Sequence, residues 1–316
     1  MKYLLFGGGG FIGSAVADRL LADGHSLRIF ELPRVEPYRR FELSESVEWI
    51  TGDFQNVSDL RRAIDGADAV LHLVSTTLPK GSNEDPVYDV NTNVISTIHM
   101  LNSMVQTRVK RIIFISSGGT VYGVPRAIPV TENHPTDPEV SYGITKLMIE
   151  KYLYLYNRLH GLEPIILRVA NPYGERQRTR SAQGAVAAFI HRALAGEPIE
   201  IWGDGSVARD YIYIADVARA CAFALQYRGE KMIFNISSGI GTSLTDLVTA
   251  IGTIIEKPLQ VRYLPGRSFD VPISVLDSSL AKKELDWSPK VALLDGLRRT
   301  ISWASHEAQH RWRDGF

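Results

Sequence analysis

The chain has 316 residues, of which 45% are apolar and 22% are charged, the proportions of a folded globular protein with a sizeable core. Its 35 basic and 35 acidic residues balance, which excludes the net field that favours nucleic acids or anionic membranes. One cysteine, Cys221, excludes an intrachain disulfide, no apolar run approaches the length of a membrane span, and a strand pattern from residue 3 leaves no room for a signal peptide. We therefore predict a cytoplasmic protein without nucleic-acid or membrane partners.

Short apolar segments alternate with helical patterns through the first half of the chain. The predicted strands are Tyr3–Phe6, Ser26–Glu31, Glu48–Thr51, Ala69–Val74, Arg111–Ser116 and Glu163–Val169. The predicted helices are Gly13–Ala22, Val57–Ile64, Val87–Gln106 and Tyr142–His160. Strands that are apolar at their centres and joined by helices predict an α/β fold with a doubly wound parallel sheet of the Rossmann type.

After Val169 the alternation loosens into loops, with helices predicted at Ala185–Ala195 and from Ile214. We expect a smaller C-terminal α/β lobe that binds the substrate. The predicted dinucleotide-binding domain is 1–170, which the chain re-enters around 211–240, and the predicted lobe is 171–210 and 241–316.

A glycine-rich turn separates the first strand from the first helix. Gly7, Gly10 and Gly13 have the spacing Gly-x-x-Gly-x-x-Gly, which suits a tight turn, a close approach of backbone to a pyrophosphate, and close helix–strand packing. The amino terminus of the helix that follows supplies free N–H groups, which favour phosphate. The turn predicts a dinucleotide site.

The ends of the next two strands carry acids. Glu31 lies where a carboxylate can accept hydrogen bonds from both ribose hydroxyls and repel a 2′-phosphate, so we predict NAD rather than NADP, although Arg34 is nearby. Asp53, followed by Phe54, is predicted to bind the adenine amino group, or alternatively to cap the helix that begins at Val57. We predict no metal site.

Tyr142 and Lys146 are four residues apart on a predicted helix and therefore share a face. A tyrosine has a pKa near 10, so it acts as a base at neutral pH only when positive charge stabilises the phenolate. A neighbouring lysine and a nicotinamide cation would supply that charge. The alternative is an exposed helical pair.

These features resemble the extended short-chain dehydrogenase/reductase family, in its branch of NAD-dependent sugar-nucleotide epimerases and dehydratases. The resemblance covers nearly the whole chain. Its other markers are His72-Leu73-Val74, Asn91, Ser116-Ser117-Gly118-Gly119-Thr120-Val121-Tyr122-Gly123, Arg168-Val169-Ala170-Asn171-Pro172-Tyr173-Gly174, Trp202-Gly203-Asp204-Gly205, Arg209-Asp210-Tyr211 and Arg267-Ser268-Phe269-Asp270-Val271-Pro272.

The resemblance implies roles for the central residues. Tyr142 would take the proton of the sugar 4-hydroxyl, and Lys146 would hold the nicotinamide ribose and lower the pKa of Tyr142. Asn91 would lie near the nicotinamide, or else be an interior polar residue bonded to backbone. Further predicted cofactor contacts are Phe11, Ile12, Phe54, Leu73, Val74, Ser75 and Ser116.

The third catalytic position departs from the family. A serine or threonine normally stands four residues before the tyrosine of Val121-Tyr122-Gly123, and Gly118 occupies that position here. Ser117 and Thr120 are the neighbouring hydroxyls, and we predict that one of them donates to the sugar 4-oxygen. The alternative is that both bond only to loop backbone.

The same segment favours one reaction. Dehydratases and UDP-glucuronate decarboxylases of the family carry acids in this loop, whereas 118–120 contains no carboxylate. We therefore predict a 4-epimerase of a UDP-hexose. The alternatives are a UDP-glucuronate epimerase, a dehydratase, a 4-ketosugar reductase, or a non-catalytic NAD-sensing protein.

By the same resemblance, Asn171, Arg209 and Arg267 would bind the UDP-sugar diphosphate and Asp270 the nucleotide ribose. Trp202 would contact the base, or pack within the lobe. Ser274 is small where some 4-epimerases carry tyrosine, which leaves room for a 2-acetamido group.

Two helices, Val87–Gln106 and Tyr142–His160, would form a homodimer through a four-helix bundle, or instead pack only on their own sheet.

Overall fold

The structure is a computed structural model that describes residues 1–177, 184–266 and 271–313. Its strands are β1 (Lys2–Phe6), β2 (Ser26–Glu31), β3 (Val47–Thr51), β4 (Ala69–His72), β5 (Arg111–Ser117), β6 (Glu163–Val169), β7 (Asn171–Tyr173), β8 (Ile199–Trp202), β9 (Ala208–Tyr213), β10 (Ile233–Ile236), β11 (Gly241–Ser243), β12 (Val261–Leu264) and β13 (Ile273–Ser274). Its α-helices are α1 (Phe11–Ala22), α2 (Val57–Ile64), α3 (Pro79–Ser82), α4 (Pro86–Asp89), α5 (Ser96–Thr107), α6 (Ser141–His160), α7 (Ala185–Ala195), α8 (Ile214–Gln226), α9 (Leu244–Ile255), α10 (Ser279–Leu285) and α11 (Leu293–Arg313).

Seven parallel strands form the main sheet, in the order β10-β6-β5-β4-β1-β2-β3. The chain winds outward in both directions from the β1–β4 pair. In such sheets the crevice at the carboxyl ends of the strands, where the order reverses, binds the ligand. The predicted fold class, a doubly wound parallel sheet of the Rossmann type, is confirmed.

Alternate residues of the strands face two different cores. On β1, Leu4 and Phe6 pack with α2, α5 and α6, whereas Tyr3 and Leu5 pack with α1 and α8. Both faces of the sheet are therefore covered, which is why its strands read as continuous apolar runs.

The predicted helix Val87–Gln106 is interrupted. After α4, residues Val90–Ile95 form a π-helix, and α5 begins only at Ser96. A π-turn inserts one extra residue, so it shifts which side chains face inward without changing the apolar character of the segment. The chain is helical over the predicted residues, and the sequence did not predict the π-helical segment within them.

The small lobe is built on a short sheet in which β9 pairs with β7, β11 and β13, beside the pair β8–β12. Within it, α7 packs against α9 and α11. Between β9 and β11 the chain returns to the main sheet, where α8 packs against α1 and β10 forms the edge strand beside β6. None of the helices in the described ranges combines the length and apolar composition of a membrane crossing.

Candidate active site

The glycine turn lies at the carboxyl end of β1. Gly7 has φ +83° and donates its N–H to Phe30 O at 3.1 Å, a backbone conformation that favours glycine. A Cβ on Gly13 would overlap the Gly7 carbonyl and lie 2.6 Å from Gly8 Cα. Because Gly10 precedes α1 without a capping side chain, the first N–H groups of the helix remain available to an anion. The turn fits the pyrophosphate of a dinucleotide.

Glu31 ends β2 beside this turn. Its Oε1 accepts the Gly9 N–H at 2.9 Å. Burial raises the pKa of its carboxyl, and the Gly9 bond partly opposes that rise. No arginine or lysine among the described residues forms an ion pair with Glu31, and Arg34 is exposed. A carboxylate without a cation at this position suits the ribose hydroxyls of NAD rather than a 2′-phosphate.

Asp53 and Phe54 follow β3. Asp53 is exposed and its Oδ1 accepts the Gln55 N–H. The alternative prediction that Asp53 caps α2 was wrong, because Asn56 accepts the N–H groups of Ser58 and Asp59 instead.

Phe54 is buried against the rings of Phe6 and His72, each with a centroid distance of 5.1 Å. Phe54 is therefore a core residue that packs beneath the carboxyl ends of β1 and β4.

The segment after β4 runs beside the glycine turn. Leu73 N donates to Phe6 O at 3.0 Å, and a Cβ on Gly7 would lie 3.1 Å from Val74 N. Ser75 donates to Thr77 O at 3.1 Å and hydrogen-bonds the Tyr142 hydroxyl. The fold thus brings 73–75 to Tyr142.

Tyr142 and Lys146 lie on one face of α6. Lys146 Nζ donates to Ile115 O at 3.0 Å and lies 5.6 Å from the Tyr142 ring centroid and 4.8 Å from that of Phe114. Burial lowers the pKa of Lys146 to about 8, although the charges of Asp89 and Glu150 oppose this. The helix brings the two predicted catalytic residues together.

The pKa of Tyr142 does not follow the sequence prediction. Burial raises it to about 12, the hydrogen bond with Ser75 opposes the rise, and the charge of Asp89 adds to it. Lys146 was expected to lower this pKa, but its ammonium is bonded to the Ile115 carbonyl. Within the protein itself, therefore, burial outweighs the lysine.

Ser116 and Ser117 end β5 in different environments. Ser116 is buried and donates to Glu150 Oε1 at 2.5 Å, while Arg168 binds both oxygens of that carboxylate at 3.0 and 2.6 Å. Ser116 therefore belongs to a buried ion-pair cluster beneath the site. Ser117 is partly exposed, and its carbonyl accepts the N–H groups of Thr120 and Val121.

Gly118 leaves no room for the hydroxyl residue that the family pattern has here. A Cβ at this position would overlap Leu276 Cδ1 and lie 3.2 Å from Arg168 O. Leu276 is fully buried and follows β13, so a residue from the C-terminal part of the chain fills the space. Among the described residues, the buried hydroxyl of Thr120 has no hydrogen-bond partner.

The asparagine that the structure turns inward is Asn93. Asn91 is exposed, and its carbonyl accepts the Ser96 hydroxyl. Asn93 is 6% exposed, accepts the Thr76 N–H at 3.0 Å and donates to Asp89 at 2.8 Å. The structure therefore does not bring Asn91 to the site, because the π-helix turns Asn93 inward and leaves Asn91 at the surface.

Two of the predicted substrate residues are neighbours in the small lobe. Arg209 on β9 and Ser274 on β13 are paired in register, and Arg209 donates to Val271 O at 2.6 Å. Asn171 donates to Asp210 O at 3.3 Å. Trp202 is 39% exposed, which disfavours the alternative of an indole packed within the lobe. Arg267 and Asp270 lie outside the described residues.

Sequence reasoning missed Asp89, Asn93 and Leu276. Asp89 lies two residues before Asn91, and its only signal in the sequence is an acid between the apolar residues Tyr88 and Val90. Leu276 gives no sequence signal, because its proximity to Gly118 joins parts of the chain about 160 residues apart.

Comparisons with known proteins agree with this geometry. A family model described as the NAD dependent epimerase/dehydratase family matches residues 3–237. The UDP-glucose 4-epimerase of Mycolicibacterium smegmatis is 35% identical over 314 residues, which are 98% of this chain and 100% of that protein.

Two solved structures are similar over nearly the whole chain. UDP-glucose 4-epimerase of Thermotoga maritima with UDP-glucose has a TM-score of 0.92 at 33% identity, covering 98% of this chain and 100% of the other. UDP-glucose 4-epimerase of Thermus thermophilus in complex with NAD has a TM-score of 0.87 at 32% identity, covering 96% and 98%. The chain belongs to the NAD-dependent epimerase/dehydratase family.

Proposed function

We propose that the protein is an NAD-dependent 4-epimerase of a UDP-hexose, interconverting UDP-glucose and UDP-galactose. The observation that carries this is the placement of Tyr142 and Lys146 on one face of α6, beside the dinucleotide turn and a loop without carboxylates at 117–120. This arrangement supports oxidation and reduction at one carbon and provides no acid in the loop for an elimination.

The residues around the turn would hold NAD. Gly7, Gly10 and Gly13 would let the backbone approach the pyrophosphate closely, the first N–H groups of α1 would face its phosphates, and Glu31 would accept the ribose hydroxyls. NAD held there would supply the hydride acceptor for C4 of the sugar and the hydride donor for the opposite face. Asp53 at the adenine, and 73–75 near the nicotinamide, complete the proposed contacts.

Tyr142 removes the proton of the sugar 4-hydroxyl and later returns it. With a pKa of about 12 within the protein alone, the phenol stays protonated at neutral pH, so forming the phenolate requires additional positive charge close to it. Lys146 orients the nicotinamide ribose, and its ammonium contributes part of that charge. One neighbouring hydroxyl, Thr120 or Ser117, donates to the sugar 4-oxygen.

The small lobe holds the nucleotide sugar, and 1–170 holds NAD. Arg209 and Arg267 bind the diphosphate with Asn171, Asp270 binds the nucleotide ribose, and Trp202 contacts the base. Ser274 beside Arg209 has a small side chain. We propose that this leaves room for a 2-acetamido group, so that UDP-N-acetylglucosamine and UDP-N-acetylgalactosamine are also interconverted.

Incubation of the purified protein and NAD with a panel of UDP-sugars, with products identified by NMR, tests the function. The proposal predicts an equilibrium mixture of C4 epimers without net formation of NADH. A 4-keto product would instead indicate a dehydratase, and stoichiometric consumption of NADH a reductase. No turnover of any sugar, with NAD bound, would favour the non-catalytic NAD-sensing alternative.

The same panel tests the size of the sugar pocket. Ser274→Tyr is expected to abolish activity on the acetamido sugars and retain activity on UDP-glucose. Ser274→Ala, which keeps the residue small, is the matched control and should retain both activities. Equal loss of both activities in the tyrosine variant, with an unchanged unfolding midpoint, would contradict the assignment.

We also propose a homodimer in which α5 and α6 of two subunits form a four-helix bundle. One side of α6 carries the partly exposed apolar residues Ile144, Met148, Tyr152, Leu155 and Leu159, spaced three or four apart. Such a stripe on a helix supports docking against another helix.

With a single buried cysteine, Cys221, we expect the enzyme to work in the reducing cytoplasm.

A further inference from the structure

A fully buried carboxylate lies behind the proposed catalytic pair. Asp89, the last residue of α4, is 0% exposed, and no lysine or arginine among the described residues forms an ion pair with it. Removing a charge from water without a counterion is costly, and such residues persist where several hydrogen bonds compensate. Asp89 thus needs an explanation that the proposed chemistry does not provide.

Three side chains from three segments donate to this carboxylate. Thr77, in the loop after β4, donates at 2.6 Å, and Asn93, in the π-helix, at 2.8 Å. From α6, Ser141 donates at 2.7 Å, while Thr145 Oγ1 lies 3.4 Å from the carboxylate and donates to Tyr142 O at 2.9 Å. The donors therefore join the loop, the π-helix and α6 at one point.

Ser141, the donor from α6, immediately precedes Tyr142, and Thr145, which contacts the same carboxylate, immediately precedes Lys146. Thr77 also connects to Tyr142, because its carbonyl accepts the hydroxyl of Ser75, which bonds the Tyr142 phenol. A displacement of the carboxylate would move both catalytic side chains together. Ser82 and Asn83 cap the same turn of α6 by accepting the N–H groups of Tyr142 and Ser141, but neither reaches the segment before Lys146.

We propose that Asp89 is the positioning residue of the catalytic pair, holding the first turns of α6 against the loop after β4 and the π-helix so that Tyr142 and Lys146 keep their mutual geometry. The inference rests on the roles proposed above for these two residues. Asp89 acts through its neighbours rather than on the substrate, since its side chain is fully buried and its oxygens accept hydrogen bonds from Thr77, Asn93 and Ser141.

The charges around the pair determine what Asp89 does to their titration. Lys146 faces Asp89 and Glu150, and the Glu150 carboxylate is already bound by Arg168. His72, on β4, also faces Lys146, and burial lowers the pKa of His72 to about 3, so it is neutral. A negative charge stabilises the ammonium and destabilises the phenolate, so Asp89 raises the pKa of both Lys146 and Tyr142.

Asp89→Asn tests the proposal by removing the charge in nearly the same volume. We expect kcat to fall tenfold or more, since small misplacements of catalytic groups have effects of about that size, while KM for the UDP-sugar changes less than threefold. Both limbs of the pH profile of kcat should shift to lower pH, because both pKa values fall. Ser141→Ala, which removes one donor and keeps the charge, should lower kcat without shifting the profile.

Asp216→Asn is the matched control. Asp216 is also buried, at 1% exposure, and its carboxylate accepts the N–H groups of Lys290 and Val291 and pairs with Arg219. It should lose comparable stability with an unshifted pH profile. If Asp216→Asn shifts the profile as Asp89→Asn does, or if neither shifts it, the proposal is overturned.

Amide hydrogen exchange provides a readout that needs no turnover. Exchange over 141–146 should be faster in Asp89→Asn and Ser141→Ala than in the wild type. Exchange over 150–160 should be unchanged in both variants, and exchange over 141–146 should be unchanged in Asp216→Asn. Unchanged exchange over 141–146 would overturn the positioning role. If the wild type epimerises no sugar, the proposed function fails while this comparison still tests Asp89.

Discussion

The buried environment of Lys146 disfavours the charged form of its side chain. Lys146 is 5% exposed and its pKa is lowered by burial to about 8 from 10.5. A lysine whose pKa is lower in the folded than in the unfolded state reduces the free energy of unfolding at pH values below both pKa values. This loss disappears above the pKa of the unfolded state, where neither state binds the proton. The buried Lys146 therefore reduces the stability of the fold at neutral pH, which is consistent with the catalytic role proposed for it.

Lys146→Met is expected to stabilise the protein and abolish its activity. At pH 7 the lowered pKa reduces the free energy of unfolding of the wild type by about 3 kcal/mol. The hydrogen bond from Lys146 to Ile115, which methionine cannot make, offsets about 1 kcal/mol of that gain. The unfolded chain binds more protons between pH 8 and 10.5, so wild-type stability rises in that window and the advantage of methionine should vanish above it. Urea unfolding at pH 7 and near pH 10 measures this, and a variant less stable than wild type at pH 7 would contradict it.

The hydroxyl that serves C4 is testable by two small substitutions. Thr120→Val removes an unpartnered buried hydroxyl and keeps the shape, and Ser117→Ala removes the other candidate. The variant lacking the donor should lose tenfold or more in kcat, since general acid–base groups contribute about 10²–10⁴. If neither substitution lowers turnover tenfold, no hydroxyl of this loop serves C4.

Leu276 explains why the family hydroxyl is absent at position 118. Gly118→Ser would place its Cβ against Leu276 Cδ1, so we expect destabilisation by about 1–3 kcal/mol from overpacking. In the double variant with Leu276→Ala the side chain has space, and the two effects on unfolding should be less than additive. Purely additive effects, measured by urea unfolding, would show that the two residues do not compete for space.

At the scale of elements, the sequence predicted the parallel sheet because each central strand is apolar on both faces and the glycine turn marks where the first helix begins. Helix α2 begins and ends where its pattern indicates. The π-helix at Val90–Ile95 was not predictable from periodicity, because one inserted residue leaves the composition of the segment unchanged. Asn91 was assigned by resemblance to the family, and the structure instead turns Asn93 inward.

For the candidate site, the sequence predicted which residues lie together but not their pKa values. The pairing of Tyr142 with Lys146 follows from helical spacing alone, since residues four apart share a face. Their pKa values do not, because burial and the charge of Asp89 depend on how α4 and α6 meet. Hydrogen bonds between distant segments, such as those to Asp89, exist only once the chain has folded.

The proposed bundle of α5 and α6 is tested by a charge on its surface. Leu155 is 42% exposed on α6, and Leu155→Glu is expected to yield a monomer, because a carboxylate buried without a partner opposes association. Leu194→Glu on α7, at 37% exposure, is the control outside the proposed interface and should leave the dimer intact. Sedimentation velocity distinguishes the two; a monomeric wild type would contradict the dimer.

At the scale of the molecule, the site forms where the small lobe meets the main sheet. Fully buried Asp210 on β9 accepts the N–H groups of Ser238 and Gly239 after β10, and that of Leu276. These bonds fix Leu276 against Gly118 and hence the loop that carries Thr120. The substrate lobe therefore contributes directly to the shape of the proposed catalytic loop.

The central claim is transient oxidation at C4 with return of the same hydrogen. UDP-glucose carrying deuterium at C4 is incubated with the purified protein and NAD, and the product is examined by NMR and mass spectrometry. The account predicts UDP-galactose that retains the deuterium at C4, with no net NADH. UDP-galactose that has lost the label to solvent, or an accumulating 4-keto sugar, would contradict it.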